Sequence, residues 1–124
     1  MKINNIAGIK MAAASSNTRY GKRDDSLLIL IEKGNTISGR FTNNSFRAAP
    51  VITAQAHLER CSGKKTVLMI NAGNANAGTG KRGTKDVLAC CKSIGQEIGV
   101  NLESVLPFST GVIGEHLKTD EYVS

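Results

Sequence analysis

Apolar side chains are concentrated in short runs that have the length of buried strands. The runs are DSLLILIE at 25–32, TVLMIN at 66–71 and SVLPF at 104–108. Nearly continuous aliphatic runs of this kind are typical of strands buried on both faces. Turn residues at 33–35 separate the first run from TISGRFT at 36–42, so the sequence predicts a hairpin whose second strand is 36–42.

Two stretches have the spacing of helices. The first begins at Pro50, which suits a first helical turn, and has one side made of Val51, Ala54, Gln55 and Leu58. His57 lies beside that side, where a lone histidine is expected to be a boundary residue rather than a catalytic one. The second helix is predicted at 84–98, with Asp86 in its first turn and Gly99 as its C-cap. Its apolar side consists of Val87, Cys91, Ile94 and Ile98.

The predicted order is therefore strand, strand, helix, strand, helix, strand. This order indicates an α/β or layered α+β fold with its chemistry on loops that follow strands. The 124 residues suffice for a single small domain. No apolar run approaches the roughly 20 residues that span a bilayer, and MKINNIAGIK has no apolar segment of signal-peptide length. We therefore expect a cytoplasmic protein that does not contact membranes.

Charge and cysteine usage narrow the chemistry further. The net charge is +6, but the basic residues are scattered from Lys2 to Lys118 and are not interleaved with aromatics, so nucleic-acid binding is not expected. Cys61, Cys90 and Cys91 form neither a CxxC motif nor a Cys/His cluster, so no metal site is predicted. Free thiols fit a reducing compartment.

The loop NAGNANAGTGKRGT at 71–84 has two interpretations. It follows a predicted strand and precedes a helix, and its 75–81 part resembles the end of a phosphate-binding P-loop. Ala75 stands where that motif requires glycine, however, and Arg82 stands where a Ser or Thr would hold magnesium. The simpler interpretation is a tight structural loop in which Asn71, Asn74 and Asn76 satisfy the loop's own backbone.

The second loop of interest is PFSTGVIGE at 107–115. It is not a nucleophile elbow, because Ser109 lacks the flanking glycines of a GxSxG motif. A Thr110 hydroxyl and a Gly111 N–H, adjacent on a turn at the end of a strand, are instead two neutral donors suited to the oxygen of a tetrahedral acyl intermediate. Glycine also lets a substrate approach the backbone closely. A simple turn remains the alternative.

Five segments in order carry a resemblance to a known family. They are AGIK (7–10), DDSLLILIE (24–32), GRFTNNSFRAAPV (39–51), VLMINAGNANAGTG (67–80) and LPFSTGVIGE (106–115). Together they resemble the N-terminal part of the ornithine acetyltransferases, the glutamate N-acetyltransferases of arginine biosynthesis. The resemblance implies an α/β fold similar in layout to the N-terminal-nucleophile hydrolases.

It also implies a reaction. In that family an acetyl group passes from N-acetylornithine to a threonine of the enzyme and then to glutamate, and some members also use acetyl-CoA. The precursor cleaves itself before that threonine into α and β chains, commonly two of each in a heterotetramer, and no cofactor takes part. By this resemblance, Thr110 and Gly111 supply the oxyanion hole.

The sequence departs from the family pattern at the nucleophile. The catalytic threonine of the family follows an alanine, and none of the nine threonines here does. Thr119 is the only late candidate, and its neighbours Lys118 and Asp120 do not match. We therefore expect residues 1–124 to be a single, incomplete domain, a truncated α portion that is inactive alone. The alternatives are a nucleotide-binding module that uses the 75–81 loop and a non-catalytic partner of a full-length homologue.

Overall fold

The structure is a computed structural model that describes residues 4–16 and 19–122. Its elements along the chain are β1 (Ile9–Ala14), β2 (Ser26–Ile31), α1 (Ala49–Leu58), β3 (Thr66–Asn74), α2 (Gly80–Ile98), a 3-10 turn (Leu102–Ser104), β4 (Val105–Val112) and α3 (Thr119–Tyr122). The predicted α/β class is confirmed, but the predicted order is not, because β1 precedes the first predicted strand and residues 36–42 contain no strand.

The four strands form one mixed sheet in the order β1-β2-β3-β4. The β1–β2 and β2–β3 pairs are antiparallel. The β3–β4 pair is parallel, and α2 provides the crossover between these strands. Because β3 and β4 run in the same direction, their carboxyl ends meet at one edge of the sheet, where parallel α/β units place their functional loops.

The core lies between one face of the sheet and the helices. It centres on a cluster of buried side chains from both long helices and the two parallel strands, namely Ala49, Val67, Val87, Cys91 and Val105. Leu28, Leu30 and Met69 extend the cluster across β2 and β3. The moderate size of these side chains agrees with a sequence that contains no tryptophan and few aromatics.

The predicted hairpin of 25–32 with 36–42 is wrong. Residues 36–42 contain no strand, and β2 instead pairs with β1, in register from Ile9 opposite Ile31 to Ala14 opposite Ser26. The other edge of β2 is occupied by β3, so no edge is left for 36–42. The predicted burial of this strand on both faces is also wrong, because all six residues of β2 are only half-buried.

Both predicted helices are present, with differences at their faces and starts. Pro50 lies in the first turn of α1, as predicted, but the buried side is Ala49, Pro50, Thr53, Ala54 and His57 rather than the predicted one. Helix α2 ends at Gly99, which has the left-handed conformation of a C-cap, but it begins at Gly80. Asp86 is therefore not in the first turn.

Candidate functional site

Thr110 and Gly111 lie within β4 and not on a turn after it. Strand β4 continues to Val112, and Thr110 and Gly111 pair with Ala72 and Gly73 of β3. The predicted turn at this position is therefore wrong, and the reason is that the parallel ladder with β3 extends through the motif. Both residues are nevertheless exposed. The backbone of this part of β4 and the Thr110 hydroxyl therefore lie at the surface, close to the carboxyl ends of β3 and β4.

Two glycines meet at this point of the ladder. Gly111 has a φ of 129° and its partner Gly73 a φ of 101°, conformations that residues with a side chain rarely adopt. A Cβ on Gly111 would collide with the backbone of Gly73 and Asn74. Only glycine therefore fits at 111, and this fixes a close approach of the two strands directly beside Thr110.

The two hydroxyls of the motif have different environments. Ser109 Oγ donates a hydrogen bond of 2.6 Å to Asn71 Oδ1. Adjacent strand residues point to opposite faces of a sheet, and Thr110 is exposed. Of these two groups, the Thr110 hydroxyl is the one accessible to a ligand, while Ser109 ties β4 to β3.

The asparagine side chains do satisfy their own loop. Asn71 Nδ2 donates to the Asn74 carbonyl at 3.0 Å, and the Asn76 N–H donates to Asn74 Oδ1 at 2.7 Å. The prediction of a self-satisfied structural loop is confirmed for these contacts. The loop also makes contacts that the sequence did not indicate, because Asn74 Nδ2 lies 3.1 Å from the carbonyls of both Glu115 and His116.

Asn76 is buried at the start of α2. It has no exposed surface and a φ of 46°, and its Nδ2 donates to the Gly83 carbonyl at 2.9 Å. The Thr79 hydroxyl donates to Asn76 Oδ1 at 2.7 Å. A Cβ on Gly83 would overlap with both side chains. The interior of the 75–81 loop is thus filled by the protein's own side chains, while Lys81 is exposed.

The remaining sequence candidates lie in the interior. His57 is 4% exposed, and its Nδ1 lies 2.7 Å from the Val105 carbonyl, so the expectation of a boundary residue is wrong. The three cysteines are buried and free. Burial, together with the charge of Asp86, raises the pKa of Cys90 to about 11, and burial with neighbouring Cys90 raises that of Cys91 to about 12. These thiols are therefore poor nucleophiles.

The structure adds charged and aromatic groups near the site. Arg19 Nη2 lies 2.6 Å from Glu115 Oε2, an ion pair between positions 96 residues apart. Arg19 and Tyr20 also lie against Gly73. No periodicity in the sequence relates such distant positions, so the contact is visible only in the structure, where Arg19 and Tyr20 lie beside the ends of β3 and β4.

No group of three or more His, Cys, Asp or Glu side chains suited to a metal ion occurs among residues 4–16 and 19–122. Within the same residues, no helix has the length and hydrophobicity needed to cross a bilayer.

Comparison with known proteins gives consistent matches along nearly the whole chain. The model of the ArgJ family matches residues 10–124. An arginine biosynthesis bifunctional protein ArgJ from Methylococcus capsulatus is 44% identical over 116 residues, 94% of this chain. The ArgJ protein of Colwellia psychrerythraea is 41% identical over 128 residues, 96% of this chain. The chain spans 28% and 30% of the lengths of these relatives.

Two solved structures share the fold. A crystal structure of ArgJ from Bacillus halodurans has a TM-score of 0.86 at 29% identity, covering 94% of this chain and 60% of that one. The ornithine acetyltransferase of Mycobacterium tuberculosis, solved in complex with ornithine, has a TM-score of 0.87 at 28% identity and covers 94% and 63%. The predicted fold is confirmed as that of these proteins, and the chain matches only part of each.

Proposed function

The chain belongs to the ArgJ family, and from this premise we propose that it is part of a glutamate N-acetyltransferase in which Thr110 and Gly111 form the oxyanion hole. The enzyme transfers an acetyl group from N-acetylornithine to glutamate through an acetyl-threonine intermediate.

One observation carries the proposal. The exposed Thr110 hydroxyl adjoins a glycine that the backbone of β3 forces to remain without a side chain. The missing side chain leaves room for the β3 backbone, which packs closely against this part of β4. Neutral donors held in a fixed position stabilise the negative charge that develops on a carbonyl oxygen. The ordered ladder from Asn71–Ser109 to Asn74–Val112 supplies that fixed position.

The rest of the chemistry comes from outside this site. The nucleophile is an N-terminal threonine generated by self-cleavage, whose own amine serves as base. It attacks the acetyl carbonyl of N-acetylornithine, the oxyanion forms against Thr110 and Gly111, and the bond to the ornithine nitrogen breaks. The glutamate amine then attacks the acetyl-threonine ester and regenerates the hydroxyl. No cofactor takes part.

The partner of this segment is the β chain that carries the nucleophile, in a heterotetramer of two α and two β chains. No threonine of the 124 residues follows an alanine, so we expect these residues alone to show neither acetyl transfer nor self-cleavage. The buried thiols favour a reducing compartment, and we place the enzyme in the cytoplasm. The alternative of a nucleotide site in the 75–81 loop is not favoured, because the side chains of Asn76 and Thr79 fill the interior of that loop.

The test uses the complete enzyme that contains this segment. We expect it to move labelled acetyl from N-acetylornithine to glutamate, and we expect Thr110→Ala to lower kcat on the order of 10²-fold. Thr36→Ala removes an exposed hydroxyl elsewhere on the surface and should leave kcat unchanged. Absence of transfer by the unsubstituted enzyme overturns the proposed reaction, and equal kcat values for the two variants overturn the oxyanion role.

A further inference from the structure

We infer that Asn74 is a positioning residue for the oxyanion hole, acting through the segment that follows β4. This inference rests on the proposed function, since it assigns Asn74 a part in holding Thr110 and Gly111. Asn74 is the last residue of β3 and pairs with Val112, the last residue of β4. Its side chain thus lies where both strands leave the sheet.

Both ends of the Asn74 amide are engaged. Its Nδ2 donates to the Glu115 and His116 carbonyls, each at 3.1 Å. Its Oδ1 accepts the Asn76 N–H at 2.7 Å. An amide offers a donor and an acceptor group in one plane, so this single side chain joins the segment after β4 to the loop before α2.

Backbone hydrogen bonds also join the loop before α2 to the segment after β4, and we call this region of contact the junction. The Ala75 N–H donates to the Val112 carbonyl at 2.9 Å, and the Gly114 N–H donates to the Ala77 carbonyl at 2.8 Å. The pairing of the two chain segments therefore continues beyond the regular strands. The side chain of Asn74 extends this pairing to Glu115 and His116, which lie four and five residues after Gly111 in sequence.

The loop side of the junction is fixed to the interior. Asn76 is fully buried and donates to the Gly83 carbonyl in α2, and its own carbonyl accepts the Ala49 N–H at the start of α1. A series of hydrogen bonds therefore runs from both helices through Asn76 and Asn74 to residues 115–116. The end of this series at Asn76 is rigid, because buried polar groups that are fully hydrogen-bonded resist displacement.

This junction matters to the site because Thr110 and Gly111 are exposed and Gly111 has no side chain to hold it. Their position depends on the β3 ladder on one side and on the chain after Val112 on the other. Loss of the Asn74 amide leaves two carbonyls without this donor and frees the loop. A shift of a catalytic donor by about 1 Å can cost on the order of 10²-fold in rate.

The experiment is a double-mutant cycle in the complete enzyme. We expect Asn74→Ala to lower kcat by on the order of 10-fold or more while KM for N-acetylornithine changes little. In a Thr110→Ala background, where the main donor is already absent, the same change should lower kcat by no more than about twofold. Asn74→Asp keeps an oxygen for the Asn76 N–H but replaces the donor by an acceptor beside the two carbonyls, so it should reproduce the loss.

Asn35→Ala is the matched control. Asn35 also donates from Nδ2 to a backbone carbonyl, that of Glu32 at 2.8 Å, but it lies beyond the other end of β2. The kcat of the Asn35→Ala enzyme should equal that of the unsubstituted enzyme. An equal loss from Asn74→Ala in both backgrounds, or no loss at all, overturns the positioning role. An unchanged kcat for Thr110→Ala alone instead overturns the proposed function, so the two failures are distinct.

Discussion

Gly111 is the residue whose geometry is most tightly determined by its surroundings. Its φ of 129° and the backbone of Gly73 and Asn74 together exclude any side chain. Thr110 next to it is exposed. The residue pair thus combines an accessible hydroxyl with a backbone held closely against β3, and a fixed donor of this kind is what an oxyanion hole requires.

We expect Gly111→Ala to reduce the free energy of unfolding by about 2–5 kcal/mol, because conformational strain and steric overlap add. Urea denaturation of the chain and its variant measures this difference. Gly34→Ala is the control, since Gly34 also has a positive φ of 93° but no atom within 4 Å of the added Cβ. Gly34→Ala should reduce the free energy of unfolding by about 1–2 kcal/mol. Equal costs for both variants would contradict the close approach of β3 and β4.

The sequence proposed Thr110 and Gly111 as site residues but did not indicate the contacts that hold them in place. Thr110 and Gly111 were identified from residue chemistry and from the family motif. The contact of Asn74 with Glu115 joins positions 41 residues apart. It depends on the parallel pairing of β3 with β4, which no local pattern specifies. His57 was misjudged for a related reason, because its partner is a carbonyl of β4.

Helix α2 is the element with the strongest sequence signal, and it determines the state of two cysteines. Cys90 is 2% exposed and Cys91 is fully buried against the core cluster. Burial in an apolar environment disfavours the charged thiolate and raises both pKa values to about 11 and about 12. The helix therefore keeps both thiols protonated at neutral pH.

We expect iodoacetamide to modify Cys90 and Cys91 far more slowly at pH 8 in the folded chain than in urea, because the thiolate is the reacting species. Mass spectrometry of the labelled peptides measures both rates. Since the folded pKa values lie above the ordinary value of 9.0, the stability they contribute is complete below pH 9 and is lost as pH rises through 11 to 12. Equal labelling rates in the folded and unfolded chains would contradict this placement.

The strands were predicted less completely than the helices. Strand β2 and most of β3 follow from their aliphatic runs, whereas β1 has the sequence IKMAAA, and alanine and lysine are depleted in strands. Pairing along the whole of β2 outweighs that weak propensity. Residues 36–42 have better strand residues, but both edges of β2 are occupied, so tertiary pairing decided both outcomes.

In the whole molecule, the face of the sheet opposite the helices carries many apolar side chains. Leu28 and Met69 face the helices, so their sequence neighbours face the other way. The apolar residues on this opposite face include Met11, Leu27, Ile29, Leu68, Ile70, Leu106 and Phe108. Met11 is 54% and Phe108 40% exposed, whereas Leu106 is buried, and exposed apolar side chains on one face favour association.

We expect the 124-residue chain to self-associate through this face. Sedimentation equilibrium should show a mass that rises with concentration, and Met11→Gln should weaken the association because it places a polar group on the face. Lys10→Gln, one residue away on the other side of β1, is the control and should have little effect. A monomer with a sharp, concentration-independent unfolding transition would show that the face does not drive association.

If this segment supplies the oxyanion hole of an acetyltransferase, Thr110 contributes directly to acylation of the nucleophile. A rapid-quench experiment on the complete enzyme measures the single-turnover rate of acetyl-enzyme formation from N-acetylornithine. With Thr110→Ala, we predict a fall on the order of 10²-fold with little change in the affinity for N-acetylornithine. An acylation rate equal to that of the unsubstituted enzyme would contradict this contribution of Thr110.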